Sequence, residues 1–177
     1  MDPTTIRLGL PKGRMQEEVL GLLHDAGIRL TFGRRGYRPQ ISLENFDAKL
    51  LKPQNVAEML HVGSRDLGFA GADWVAELGL DLVELMDTKL DPVRIVAAAD
   101  PAFDPKGERF RVATEYQRLT EAWLAEQGFD GQVVRTFGAT EVFPPEDADC
   151  VVDNTATGET LRANGLHIFA TLMHSST

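Results

Sequence analysis

A single cysteine, Cys150, stands among the 177 residues, which excludes an intramolecular disulfide. Set in the apolar run Cys150-Val151-Val152, it reads as a small buried hydrophobe. Long apolar runs are missing too: no window approaches the roughly 20 residues that cross a bilayer, so no membrane span is expected. The start, Met1-Asp2-Pro3-Thr4-Thr5, lacks the basic flank and apolar centre of a secretory signal, and a cytoplasmic address is expected. The four histidines, His24, His61, His167 and His174, show no metal-ligand spacing, so no protein-built metal site is expected. Basic residues are outnumbered, 18 Lys and Arg against 27 Asp and Glu, and the formal charge of −9 argues against general nucleic-acid binding. Internal repeats and low-complexity segments are absent.

What the chain does have is an uneven distribution of charge. Residues 1–52 hold nine Lys and Arg against six acids, whereas the rest holds nine against 21. An acidic protein that gathers cations in one region focuses anionic ligands there, although Arg7, Arg29 and Lys49 read as ordinary surface charges. Apolar periodicity predicts an alternation of strands and helices. Strands are expected at 6–10, 50–51, 67–70, 82–86, 93–99, 110–113 and 133–137, and helices at 15–26, from Pro53 to Gly63, at 73–78 and at 119–127. Trp74 and Trp123 fall in helices among apolar neighbours and are expected in the core. The alternation indicates an α/β fold with largely parallel pairing.

The most informative stretch is 150–166, CVVDNTATGETLRANGL. A short apolar run ends in Asp153, a polar turn follows, and an amphipathic segment closes at Gly165. That is a strand feeding a loop that opens a helix, where unpaired backbone N–H groups favour an anion. Gly158 allows close backbone approach, and the hydroxyls of Thr157 and Thr160 add donors. The loop has no Lys, so it is not the phosphate loop of nucleoside triphosphatases. The carboxylate leading it suits a vicinal diol, and together they describe a ribose 5-phosphate site. Asp153, Asn154 and Thr155 also read as plain turn and N-cap residues, with Gly165 as helix stop.

The ordered series Asp153, Thr157, Gly158, Thr160, Leu161 resembles the phosphoribosyl pyrophosphate loop of phosphoribosyltransferases. Its extension through Arg162-Ala163-Asn164-Gly165-Leu166 is similar to that of the ATP phosphoribosyltransferase family, which opens histidine biosynthesis. Other segments resemble the same family in the same order: Leu10-Pro11-Lys12-Gly13-Arg14; Gly63-Ser64-Arg65-Asp66-Leu67-Gly68-Phe69-Ala70-Gly71-Ala72-Asp73; Arg111-Val112-Ala113-Thr114-Glu115-Tyr116; and Gly138-Ala139-Thr140-Glu141-Val142-Phe143-Pro144.

The resemblance implies a two-lobed α/β architecture of the type II periplasmic-binding-protein kind, with substrates in a cleft between lobes. Lobe I would take 1–90, lobe II 91–166, and 167–177 would be a C-terminal strand returning toward lobe I. The implied activity is pentosyl transfer: adenine N1 of ATP attacks C1 of phosphoribosyl pyrophosphate and pyrophosphate leaves. Phosphoribosyl pyrophosphate would be held by Glu141, Asp153, Ala156, Thr157, Gly158, Glu159, Thr160 and Leu161, although Glu141 reads equally well as an exposed helix acid. Lys12, Gly13, Arg14, Gly71 and Asp73 would serve ATP, and Lys12, Arg14, Arg34 and Lys52 would be the catalytic cations. Mg²⁺ is the implied cofactor, carried by substrate phosphates. The implied partners are further copies of the chain, as a dimer or larger, and a histidyl-tRNA-synthetase-like regulatory subunit. The apolar segment 166–173 is expected to leave an edge that favours association.

There are departures from the family pattern. Lys52 stands where Arg is usual, keeping the charge and losing the bidentate fork. Residues 144–149 are shorter and more acidic than usual, and family members continue past the position of Thr177. Two other classes of function stay open on the residues alone: a non-catalytic bilobal ligand-binding protein, and a regulatory paralogue of the family.

Overall fold

The computed structural model describes residues 5–33 and 36–177. Two compact units form, one of Met1–Asp91 with Ser176–Thr177 and one of Pro92–Ser175.

In the first unit, β1 (Ile6–Pro11) lies between β4 (Phe46–Leu51) and the two-residue β5 (Leu67–Gly68), and all three run parallel. Parallel neighbours need crossover connections. These are α1 (Arg14–Asp25), with the short antiparallel pair β2 (Leu30–Thr31) and β3 (Gln40–Ile41) after it, and α2 (Pro53–His61). Spacing of four residues puts Met15, Val19 and Leu23 of α1 on one buried stripe. Leu8, Leu10, Ala48 and Leu50 meet Val19 and Leu23 to form the core of this unit. Pro53 stands in the first turn of α2, where its missing N–H costs nothing. Helix α3 (Ala72–Leu78) follows β5. Ser176 and Thr177 close the unit: Ala72 N–H donates to the Ser176 carbonyl at 3.1 Å, and Thr88 donates N–H and Oγ1–H to the Thr177 carbonyl at 2.8 and 2.6 Å.

The second unit is a five-stranded sheet in the order β10-β6-β9-β7-β8. Strands β7 (Phe110–Thr114), β8 (Gly131–Arg135) and β9 (Cys150–Thr155) are parallel, while β6 (Val93–Ala99) is antiparallel to both β9 and β10 (His167–Ser175). The run VRIVAAA of β6 is buried at every position but Arg94, as a strand covered on both faces must be. Helix α4 (Gln117–Gln127) and the single-turn α5 (Glu159–Ala163) complete the unit, with a 3₁₀ turn at Thr140–Val142. Val96, Ala98, Ala113, Val151, Leu161 and Leu166 form one core cluster. A separate aromatic group joins Phe103, Phe110, Trp123, Phe129 and Phe169 through edge and tilted contacts. Cys150 is buried, and burial pushes its thiol up to about 12 with Asp149 adding to the rise.

Several expectations are corrected. No strand forms at 82–86: Val83, Leu85 and Met86 are 85%, 75% and 72% exposed. Alternation gives a segment two faces but not a neighbour, and a strand exists only by pairing. Pairing is less parallel than expected, because β6 opposes both its neighbours. The strand within 167–177 belongs to the second unit's sheet, and only Ser176–Thr177 join the first. That strand, β10, stands at the edge of the sheet as expected, and Phe169 on it is 40% exposed, although Leu166 before it is buried and Ile168 packs on the core. Trp123 is buried as expected, but Trp74 is only half-buried. Among the described residues no helix is long and apolar enough to cross a membrane.

Candidate functional site

In the second unit the C-terminal ends of β7, β8 and β9 lie side by side; the turns leaving β7 and β8 carry Glu115 and Glu141, and the end of β9 carries Asp153. Parallel α/β sheets collect ligands at this end. Asp153 is the last residue but two of β9, half-buried, with one carboxylate oxygen, Oδ1, accepting the Asn154 N–H at 2.7 Å. Burial pushes its carboxyl up to about 6; the Asn154 N–H pulls the other way, while Glu141 and Glu115 add to the rise. Glu141 and Glu115 thus lie near enough to bear on the Asp153 carboxyl. Carboxylates so arranged favour a ligand that brings hydroxyl donors or positive charge.

The loop after Asp153 is shaped by its own hydroxyls. Thr155 Oγ1 accepts the Gly158 N–H at 2.8 Å, and Thr157 Oγ1 accepts the Glu159 N–H at 3.3 Å. Gly158 sits in the left-handed region at φ 78°, which turns the chain into α5. The N–H groups of Gly158 and Glu159, expected as phosphate donors, are therefore engaged within the loop. Those of Thr157, Thr160 and Leu161 carry no hydrogen bond among the described residues. Ala156, Thr157, Glu159 and Thr160 are exposed, whereas Gly158 and Leu161 are buried. Leu161 anchors α5 in the core.

In the first unit, Lys12, Gly13 and Arg14 leave β1, Lys52 leaves β4, and Gly71 and Asp73 follow β5 into α3. The strand order β4-β1-β5 brings these three turns to one end of the sheet. Lys12 is half-buried, with its ammonium 4.2 Å from the centroid of the Tyr37 ring. Lys52 is exposed. Arg14 is paired with Asp91 at 2.9 Å. Burial raises the Asp91 carboxyl, Arg14 opposes that rise, and Glu18 and Asp73 reinforce it. Asp73 is buried and already engaged with other residues of the chain, and Gly71 is buried. Arg34 lies outside the described residues.

With this geometry in view, comparison with known proteins is informative. The family model of ATP phosphoribosyltransferase, HisG, matches residues 52–177. The chain belongs to the ATP phosphoribosyltransferase family. The ATP phosphoribosyltransferase of Chlorobium luteolum is 37% identical over 181 residues, covering 97% of this chain and 62% of that protein. The chain thus spans about 62% of the length of such relatives. The ATP phosphoribosyl transferase (HisG:HisZ) complex from Thermotoga maritima superimposes with a TM-score of 0.86 at 24% identity, over 97% of this chain and 85% of that one. The extracellular-binding protein ytmK from Bacillus subtilis gives a TM-score of 0.51 at 12% identity, over 98% of this chain and 82% of that one. These two likenesses speak for the fold, which the family shares with binding proteins of the periplasmic type.

Around Asp153, the sequence read Asn154 and Thr155 as turn and N-cap residues, and it gave no part to Tyr116. Thr155 holds the loop, Asn154 touches the carboxylate, and Tyr116 meets Asn154. The bond from Gly158 N–H to Thr155 Oγ1 fits that turn-residue reading. Nothing in the spacing ties Tyr116 to Asn154.

Proposed function

We propose that this chain carries out the reaction of its family, transfer of the 5-phosphoribosyl group from phosphoribosyl pyrophosphate to N1 of ATP. One observation carries the reading: a half-buried carboxylate, Asp153, with one oxygen held and the other open, leads a loop that offers free N–H groups. The carboxylate accepts from the ribose hydroxyls, with Glu141 beside it, and the loop from Ala156 to Leu161 receives the 5-phosphate. The new bond joins adenine N1 to ribose C1, and the C1–O bond breaks with its electron pair leaving on pyrophosphate. Such a displacement develops oxocarbenium character and needs no side-chain nucleophile. The protein's part is to fix the ribose phosphate and neutralise the leaving group.

Lys12 and Lys52 are the cations assigned to the pyrophosphate and ATP phosphates, with Arg34 as the family counterpart. Arg14 would have to exchange its bond with Asp91 to join them. Among the described residues no group of three or more His, Cys, Asp or Glu is placed to hold a metal ion. Mg²⁺, in this reading, would come with the substrate phosphates, whose oxygens suit it, and no step is assigned to it. ATP and the activated sugar place the work in the cytoplasm.

Release of pyrophosphate on mixing the chain with both substrates tests the proposal, and its absence would sink it. The leaving-group assignment has its own test. Lys52→Ala should lower turnover about tenfold, whereas Lys52→Arg, which keeps the charge, should retain most of it. Equal losses would contradict the charge argument. We also propose that the chain works as a homo-oligomer joined by a regulatory subunit, supported by the HisG:HisZ complex of the Thermotoga protein. Light scattering showing a stable monomer at micromolar concentration would overturn the first part, and no association with a histidyl-tRNA-synthetase-like protein the second.

A further inference from the structure

The Asp153 carboxylate is the outer end of a chain of polar groups that reaches into the core of the second unit. Its Oδ1 accepts the Asn154 N–H at 2.7 Å and lies 3.4 Å from Asn154 Nδ2. The same Nδ2 donates to the phenol oxygen of Tyr116 at 3.0 Å. Tyr116 is fully buried. Its backbone is fixed on both sides, the N–H donating to Thr114 Oγ1 at 2.8 Å and the carbonyl accepting from Thr120 Oγ1 at 2.6 Å. Thr114 and Thr120 are themselves fully buried. Asp153 Oδ2 has no hydrogen-bond partner among the described residues.

We infer that Tyr116 and Asn154 are positioning residues for Asp153: the phenol sets the Asn154 amide, Asn154 holds Oδ1, and Oδ2 is left to accept from a vicinal diol. The inference rests on the reading of Asp153 as the ribose-binding acceptor. The physical case comes from what a half-buried carboxylate does when left alone. It rotates toward whatever donor or water it can reach, and a ligand must then bear the cost of setting it. A carboxylate held by one oxygen is set beforehand, and rigid orientation of this kind favours binding. The two acids that face it, Glu141 from the 3₁₀ turn and Glu115 from the turn before α4, offer no donors. On the β6 side the register partner is Val96, which offers none from its side chain. Orientation therefore has to come from Asn154. The plainer account is that Asn154 and Tyr116 merely satisfy each other as buried polar groups. The two accounts part on what happens to Asp153.

The test uses the full chain as wild type, Tyr116→Phe, Asn154→Val and the double variant. Carbon-13 NMR follows the titration of the Asp153 carboxyl, identified by its loss in Asp153→Asn. Donors to a carboxylate favour its charged form, so loosening them raises the midpoint. Either single variant should move it up by about half a pH unit or more, and the double variant no further, because the groups act in series. The KM for phosphoribosyl pyrophosphate should rise about five- to tenfold, with kcat within about twofold. Tyr116→Phe keeps the ring, and Asn154→Val suits a strand, so at least one variant reports on a folded chain. Midpoints unmoved in both single variants would overturn the inference, as would a raised midpoint with an unchanged KM. Wild type that releases no pyrophosphate would overturn the proposed function instead, and the titration alone would then decide the positioning.

Discussion

Replacing Asp153 with Asn should give a chain that is slower and yet harder to unfold at pH 7. Asn has the shape of Asp, and its Oδ1 can still accept the Asn154 N–H that holds Asp153 at 2.7 Å. What is lost is the charge and the acceptor at the open oxygen, where a ribose hydroxyl would bind. A charge-assisted hydrogen bond of that kind is worth about 1.5–3 kcal/mol, so pyrophosphate release should slow by about ten- to a hundredfold. Stability moves in the opposite direction. Burial raises the Asp153 carboxyl from 3.8 to about 6. Between those values the folded chain keeps a proton that the unfolded chain has shed, so this group's contribution falls as pH rises and stays low above about 6. At pH 7 the folded protein therefore carries a desolvated charge, a cost on the order of 2–3 kcal/mol that Asn removes. Thermal unfolding at pH 7 and pH 4 checks the sign: the variant should melt higher at pH 7, and the advantage should fade by pH 4. A variant that melts lower at pH 7, or turns over at the wild-type rate, would contradict the account.

That a candidate carboxylate could be picked out of the sequence at all reflects where it stands. Cys150-Val151-Val152 is a buried strand read directly from its apolar run, and a charged residue at the end of such a strand has few structural reasons to be there. The same logic made β6 legible, because VRIVAAA leaves no polar face, and α1, because Met15, Val19 and Leu23 keep helical spacing. Residues 82–86 show where it fails. Leu82, Val83, Leu85 and Met86 have a strand's composition, but composition cannot supply the neighbouring strand that would make them one. Direction is equally silent: the side-chain period is the same for both senses of pairing, so the antiparallel setting of β6 was not readable. The two-residue strands β2, β3 and β5 are too short for any period to show.

The candidate site was legible chiefly along its own chain segment, with Glu141 added from a second motif. Asp153 to Leu161 are contiguous, and their order carries the family pattern. Tyr116 meets Asn154 from a distant part of the sequence, through a packing of β7 and β9 that no spacing rule encodes. The loop's hydrogen bonds were hidden for a different reason. A Gly beside hydroxyls suggests free N–H groups, yet Thr155 and Thr157 had already taken two of them. The cations of the first unit were named from charge excess, strand-end position and family resemblance, none of which speaks of competition. Arg14 proves to be paired with Asp91, and Lys12 lies against the Tyr37 ring.

The loop itself should be most sensitive at Gly158. Its φ of 78° is a region that a side chain occupies at a cost of about 1–2 kcal/mol, and more if β-branched. Space is short as well, because a Cβ there would come within 3.2 Å of Ile168 Cδ1. Ile168, partly buried against the core of the second unit, would have to shift to make room. In Gly158→Val the chain should leave the left-handed turn, break the 2.8 Å bond from its N–H to Thr155, and scatter the N–H groups of Thr157, Thr160 and Leu161. Loss of two or three hydrogen bonds to a phosphate corresponds to about a hundredfold or more in affinity. The fold should survive, with melting lowered by about 2–4 °C for each kcal/mol of strain. Calorimetry with ribose 5-phosphate and with inorganic phosphate separates this from the Asp153 effect. Gly158→Val should weaken both ligands, Gly158→Ala should fall between it and wild type, and Asp153→Asn should weaken ribose 5-phosphate while sparing phosphate. If Gly158→Val bound ribose 5-phosphate as wild type does, the 5-phosphate would have to be held somewhere other than this loop.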